Sequence, residues 1–237
     1  MLIIKSPREA FATPVQVVSG IVGKQRQTLP ILSNILISKV GTRVDFTATD
    51  LDIEIKTFAD IGAEGPDISV TVDAAKLQSL ISALNHGSEV TLSQPSQSDP
   101  TVELKQGKST FKLNTLPADE FPNRPVTEFS QTLTIPANQL RHLLQLVHFS
   151  MAQQDIRYFL NGMLLSVQGD VIRVVTTDGH RLAYCEGKLE TPLSENIQCI
   201  VPRRTVMEML RLIPDTEEAI NIAVSTAEIR ITWGNIT

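Results

Sequence analysis

Cysteine is nearly missing from this 237-residue chain: Cys185 and Cys199 are the only two. Two such residues build no disulfide framework, and they do not stand at metal-ligand spacing. Their scarcity points to a reducing compartment, the cytoplasm. Long apolar runs are missing as well. No stretch approaches 18 unbroken apolar residues, so no helix is expected to span a membrane. The opening Met1-Leu2-Ile3-Ile4-Lys5-Ser6 reaches a charge after four apolar residues and lacks the form of a signal peptide. There is no glycine-rich phosphate loop, so no bound nucleotide or other cofactor is expected. Basic excess is absent too: net charge is −5, which opposes electrostatic clinging to nucleic acid.

What the chain does have is repetition. Thr47-Ala48-Thr49-Asp50 recurs as Val175-Thr176-Thr177-Asp178, an offset of 128. Ile4-Lys5-Ser6-Pro7 recurs as Leu133-Thr134-Ile135-Pro136, and Thr71-Val72-Asp73-Ala74 as Ile200-Val201-Pro202-Arg203, both at 129. Gly107 pairs with Gly234 at 127. A near-constant offset means two tandem copies of one domain. The expected boundaries are 1–127 and 128–237. Such a duplication favours a ring or array over a single catalytic cleft.

Four segments carry helical periodicity, two per copy, taken as 7–22, 73–85, 136–149 and 202–213. Leu77, Leu80, Ile81 and Leu84 follow the spacing of one buried helix face, as do Leu140, Leu143, Leu144 and Val147, and Val206, Met209, Leu210 and Ile213. The first segment uses Phe11, Val15, Val18 and Val22. Ser6-Pro7-Arg8-Glu9 reads as a capping box with proline at the first helical position. Pro14 should kink that helix or delay its start. Between the helices the chain alternates as strands do, with turns at Gly41-Thr42, Gln106-Gly107, Gly169-Asp170 and Thr226-Ala227. Each copy thus reads as strand, helix and a set of strands, an α+β domain with helices on one face of antiparallel sheets. The apolar, proline-rich run 116–125 reads as an ordered connector between the copies.

Charge is distributed unevenly. On the four helical segments the basic residues are Arg8, Lys76, Arg141, Arg203, Arg204 and Arg211, and the acidic ones Glu9, Asp73 and Glu208. The helices therefore carry an excess of three positive charges on an acidic protein. A surface of that kind binds phosphates weakly and without regard to sequence, which suits sliding.

Several segments together carry a resemblance. They are Thr28-Leu29-Pro30-Ile31-Leu32, Thr49-Asp50-Leu51, Leu116-Pro117-Ala118-Asp119-Glu120-Phe121-Pro122, Ser150-Met151-Ala152-Gln153-Gln154-Asp155-Ile156-Arg157-Tyr158, Leu160-Asn161-Gly162-Met163, Thr177-Asp178-Gly179-His180-Arg181-Leu182 and Ile200-Val201-Pro202-Arg203. In unbroken order along the chain, they resemble the bacterial β sliding clamp of DNA polymerase III. That resemblance implies a DNA-clamp fold and a non-catalytic processivity factor, in which two chains of three domains close head to tail around duplex DNA. A third domain is not present here, and the second copy lacks a counterpart of residues 111–123. This chain is therefore expected to match the N-terminal two-thirds of a clamp and not to close a ring.

The resemblance also implies site residues. Arg26, Lys76, Gln154, Tyr158, Phe159, Arg203 and Arg204 would face DNA, with Ala75 standing where the family often has another basic residue. Leu160, Thr177, Gly179, His180, Arg181 and Leu182 would wall a pocket for peptide tails of DNA polymerase III core, clamp loader and other proteins bearing clamp-binding motifs. The rest of that pocket would lie beyond Thr237.

Two other readings stay open on the residues alone. Asp178 and His180 have the chemistry of acid–base or metal work, although no nucleophile or third ligand stands at motif spacing. The same stretch also reads as a structural turn, with Asp178 satisfying backbone donors.

Overall fold

The computed structural model describes residues 1–23, 29–96, 99–124 and 127–237. It divides into two compact units, Met1–Arg124 with Asn235–Thr237, and Pro125–Gly234. The division falls three residues before the expected boundary. The Arg124 guanidinium donates to the Leu51 carbonyl, which holds it in the first unit, while Thr127 donates to Glu228 in the second.

The first unit runs β1 (Leu2–Pro7), α1 (Arg8–Ser19), β2 (Asn34–Val40), β3 (Arg43–Thr49), β4 (Glu54–Ala59), β5 (Ile68–Asp73), α2 (Ala74–Ala83), β6 (Glu89–Ser93), β7 (Thr101–Gln106) and β8 (Ser109–Asn114). These form two antiparallel sheets, ordered β4-β3-β2-β5 and β1-β6-β7-β8. The order exposes a second level of duplication. Strand, helix and three strands occur twice, and each half lends its first strand to the other half's sheet. Ile236 forms an antiparallel bridge to Thr57 on β4, and Thr237 exchanges backbone hydrogen bonds with Lys56.

The second unit repeats the plan with β9 (Gln131–Pro136), α3 (Ala137–Val147), β10 (Gly162–Gln168), β11 (Val171–Thr177), β12 (Leu182–Lys188), β13 (Ile197–Pro202), α4 (Arg203–Leu212), β14 (Ala219–Val224) and β15 (Ile229–Thr232). Its sheets are β12-β11-β10-β13 and β15-β14-β9. Among the described residues, no strand takes the place that β8 holds in the first unit. The α+β architecture and antiparallel sheets are those expected. No helix among the described residues is long and apolar enough to cross a membrane.

Helix faces follow the periodicity closely. Helix α3 rests on β11 and β12 and buries Leu140, Leu143, Leu144 and Val147. Helix α1 packs on α2 and across β3 and β4, where Phe11 meets Phe46 with ring centroids 6.0 Å apart. Burying two such rings removes enough apolar surface to contribute roughly 1.5–3 kcal/mol each. The second unit buries the sole tryptophan, Trp233.

Three details depart from expectation, and a fourth was not anticipated. Ser6 closes no capping box: it lies within β1, and its hydroxyl turns to the Pro7 carbonyl. Pro7 is the cap, and Glu9 instead accepts from the Gly87 amide at 3.1 Å and contacts His86. Helix α1 starts on Arg8 despite Pro14, which is buried within it; it stops at Ser19, so buried Ile21 replaces Val22. Finally, Lys39 lies on the inner face of β2, only 1% exposed. Its ammonium donates to the Ala63 and Gly65 carbonyls at 2.9 and 3.1 Å, a charge satisfied by backbone alone.

The helical charge count also needs revision. Arg8 Nε donates to the Ile81 carbonyl at 3.0 Å, at the end of α2. Arg141 Nη1 donates to Leu210 and Ile213 at 2.7 and 2.6 Å, at the end of α4. Each guanidinium thus caps the negative end of a neighbouring helix. Arg211 pairs with Glu208 at 2.8 Å. Formal charge survives, but at least half of these cations are engaged inside their unit.

Candidate functional site

Most residues expected to matter in the second unit lie on the turn between β11 and β12 or on the segment between α3 and β10, while Arg203 and Arg204 open α4. Thr177 Oγ1 donates to the Arg181 carbonyl at 2.7 Å and accepts from the Gly179 amide at 3.1 Å. Asp178 Oδ1 accepts from the His180 and Arg181 amides, both at 3.0 Å, and Oδ2 accepts from Arg181 Nε at 2.9 Å. These backbone donors, with the Arg181 guanidinium behind them, hold the Asp178 carboxyl down at about 2. Such a group is no proton donor near neutrality, and it already accepts three hydrogen bonds within the turn. The geometry is that of turn closure.

The first unit proves the point by repeating it. Thr49 Oγ1 donates to Ile53 at 2.9 Å and accepts from Leu51 at 3.0 Å. Asp50 Oδ1 accepts from the Asp52 and Ile53 amides at 3.0 and 2.7 Å. The residue after the aspartate has positive φ in both turns, +81° at Leu51 and +88° at Gly179. Only the second copy places glycine there, where the conformation costs least. The space over that glycine is occupied by the chain itself: Arg157 Nη2 lies 3.3 Å from where a Cβ would stand.

Arg157 belongs to a braced loop. Asp155 accepts from the Arg157 guanidinium through both oxygens, each at 3.0 Å, and from its amide at 2.8 Å. That fork holds the Asp155 carboxyl down at about 2. Asn161 fastens the loop from below, accepting from the Asp155 amide at 2.9 Å and donating to its carbonyl at 2.7 Å. Gly162 follows because a Cβ would sit 2.6 Å from the Val201 carbonyl on β13. Asn161 and Gly162 are therefore explained by local structure.

Both carboxylates favour the folded state above their ordinary value of 3.8, and that contribution is lost as pH falls through about 2. Carbon-detected NMR titration of the second unit should find both midpoints near 2. Arg157→Ala should raise the Asp155 midpoint toward the ordinary range. Midpoints near 4 in the unaltered chain would sink this account of the loop.

A cavity of about 450 Å³ opens beside this turn, lined by Phe149, Met151, Gln154, Asp178, His180 and Arg203 among others. Arg203 Nη1 reaches the Met151 carbonyl at 3.3 Å, and the Arg181 guanidinium lies 5.7 Å from the centre of the Phe149 ring. Gln154, with positive φ, and Arg203 thus share one cavity with His180 and Arg181, although the two pairs were expected to serve different partners. Tyr158 is 80% exposed and meets Phe159 edge to face at 5.8 Å. Leu160 is buried at 6%, so of the two leucines expected in the pocket only Leu182, at 65%, offers exposed apolar surface. Phe149 escaped the sequence reading, and Met151 entered it only as part of the Ser150–Tyr158 motif; an aromatic just past the last buried position of α3 was the available signal. Lys76 and Arg204 are exposed on α2 and α4. Arg26 lies outside the described residues.

Comparison with known proteins agrees on both units. Residues 2–125 match the N-terminal domain of the DNA polymerase III beta subunit, and residues 134–237 match its central domain. The beta sliding clamp of Pseudomonas putida is 38% identical over 230 residues, covering 97% of this chain and 62% of the relative. That of Escherichia coli K12 is 34% identical over 228 residues, covering 96% and 61%. A Pseudomonas aeruginosa sliding clamp solved with griselimycin superposes with a TM-score of 0.92 at 36% identity, covering 99% of this chain and 63% of that one. Caulobacter crescentus pol III beta gives 0.91 at 32%, covering 100% and 64%. The chain thus spans less than two-thirds of the length of these relatives. With both domains matched in order along nearly all its residues, the chain belongs to the DNA polymerase III beta subunit family.

Proposed function

We propose that this chain supplies two of the repeats of a DNA polymerase processivity factor. In this reading two full-length chains form a ring that encircles duplex DNA and performs no chemistry. The ring tethers DNA polymerase III core, the clamp loader and other proteins with clamp-binding motifs. The observation that carries it is the ordered match of both units to the N-terminal and central beta-subunit domains. Arg26, Lys76, Gln154, Tyr158, Phe159, Arg203 and Arg204 are assigned to DNA. Leu160, Thr177, Gly179, His180, Arg181 and Leu182 are assigned to the partner peptide. The closed hydrogen bonding of Asp178 supports a binding role over a hydrolytic one.

A peptide scaffold without DNA is the competing reading, favoured by the helix-capping use of Arg8 and Arg141. One experiment separates them. The chain, extended by the remaining third found in its relatives, should be loaded onto circular duplex DNA and the DNA then linearised. Encirclement predicts retention on the circle and release on linearisation. Reversing charge at Arg26, Arg203 and Arg204 should shorten retention and reduce the salt slope by roughly 0.9 for each phosphate no longer neutralised. Peptide affinity should stay unaltered. Retention that survives linearisation would refute the topological mechanism.

A further inference from the structure

The peptide surface of the second unit has a counterpart in the first, and there it is already filled. A 3-10 turn, Pro30–Ser33, leads into β2, and Tyr158–Asn161 leads into β10 at an offset of 128. Leu32 therefore stands where Leu160 stands, and Leu36 where Leu164 stands. In the β2–β5 ladder Leu36 faces Thr71; in the β10–β13 ladder Leu164 faces Ile200.

In the first unit Ile31, Leu32 and Phe121 form a buried cluster, with Leu36 and Leu116 packed against it. Thr71 Oγ1 donates to the Leu116 carbonyl at 2.7 Å and accepts from the Leu116 amide at 3.0 Å. One side chain thus grips both backbone groups of Leu116, as a neighbouring strand would. Asn34 steadies that hydroxyl at 3.0 Å. Between the anchors, Asp119 and Glu120 face solvent. In the second unit the residue at the Thr71 position is Ile200, 40% exposed and unable to make that grip.

We infer that the first unit contains a latent peptide groove, occupied in cis by Leu116–Phe121. Its ligand class is a short extended peptide with an aliphatic residue followed five positions later by phenylalanine. The comparison with Leu160 rests on the proposed peptide site, whereas the groove itself rests on the contacts of the first unit. Strand β8 ends two residues before Leu116, so the tethered ligand acts at an effective concentration of roughly millimolar or more. A free peptide at micromolar concentration cannot displace it. Removing the phenylalanine anchor opens the groove.

The test uses the whole chain and a synthetic peptide of residues 114–122, followed by methyl NMR of Ile31 and Leu32. In the unaltered chain these signals should not move. In Phe121→Ala they should shift saturably, and a peptide with its own phenylalanine replaced by alanine should bind at least about tenfold more weakly. Adding Leu182→Ala should change nothing at Ile31. Signals of Leu182 and His180 report separately on the second unit, so that site can fail while this proposal stands. Should Phe121→Ala not melt cooperatively, Phe121→Leu serves with the same outcomes. A folded variant whose Ile31 and Leu32 signals ignore the peptide would overturn the proposal, as would an unaltered chain that binds it there.

Discussion

Leu160→Ala is expected to destabilise the second unit by about 2–5 kcal/mol, through lost burial and the cavity left behind. The side chain is buried, and its backbone is also in use, donating to Arg157 at 2.9 Å and accepting from Ala152 at 3.0 Å. Weaker peptide affinity in that variant would therefore say little about direct contact. Leu182→Ala and His180→Ala are the informative changes, because both side chains are exposed. Each should leave stability within about 0.5 kcal/mol, as surface substitutions usually do. Peptide affinity should fall in both if the turn is the binding wall. Chemical denaturation checks the stabilities, and titration with a clamp-binding peptide checks the affinities. Leu160→Ala that melts with the unaltered chain would contradict the packing described here.

Arg141→Ala should cost about 2–3 kcal/mol, since charge-assisted hydrogen bonds to two carbonyls at the end of α4 disappear. The exposed i,i+3 bond of Arg211 to Glu208 on the same pair of helices should contribute no more than about 0.5 kcal/mol. Arg141→Ala and Arg211→Ala remove the same formal charge. An electrostatic role for the helices as a whole predicts equal effects on DNA affinity at equal folded fraction, whereas the contributions of these contacts to stability should differ severalfold. No loss of stability in Arg141→Ala would show that Arg141 is not a structural cap.

The elements were legible because their signals are local. Alternation and helical spacing depend on neighbours a few residues away, and the turns at Gly41, Gly107 and Gly169 lie between the expected strands. The tandem duplication was legible because its offset hardly drifts. The duplication within each unit was not. Helices α1 and α2 start 66 residues apart, but β2 and β6 start only 55 apart, because more sequence separates α1 from β2 than α2 from β6. Misread residues share one cause: partners distant in the chain. Glu9 meets Gly87, Arg8 meets Ile81, and Arg141 meets Leu210. Which of Leu160 and Leu182 is buried and which exposed was not legible, because Leu160 sits in the 3-10 turn before β10 and Leu182 opens β12. The DNA assignment of Arg26 falls outside the described residues.

Lys39 gives the first unit a chemical clock. An amine enclosed by the Ala63 and Gly65 carbonyls is shielded from acylating reagents that modify exposed lysines freely. Its modification must wait for an opening of the surrounding structure, so the labelling rate of one tryptic peptide reports the free energy of that opening. The sole tryptophan, buried Trp233, belongs to the second unit, and its emission follows the loss of its own burial. Mass spectrometry and fluorescence on the same sample can therefore time the two repeats separately, with no engineered probe in either.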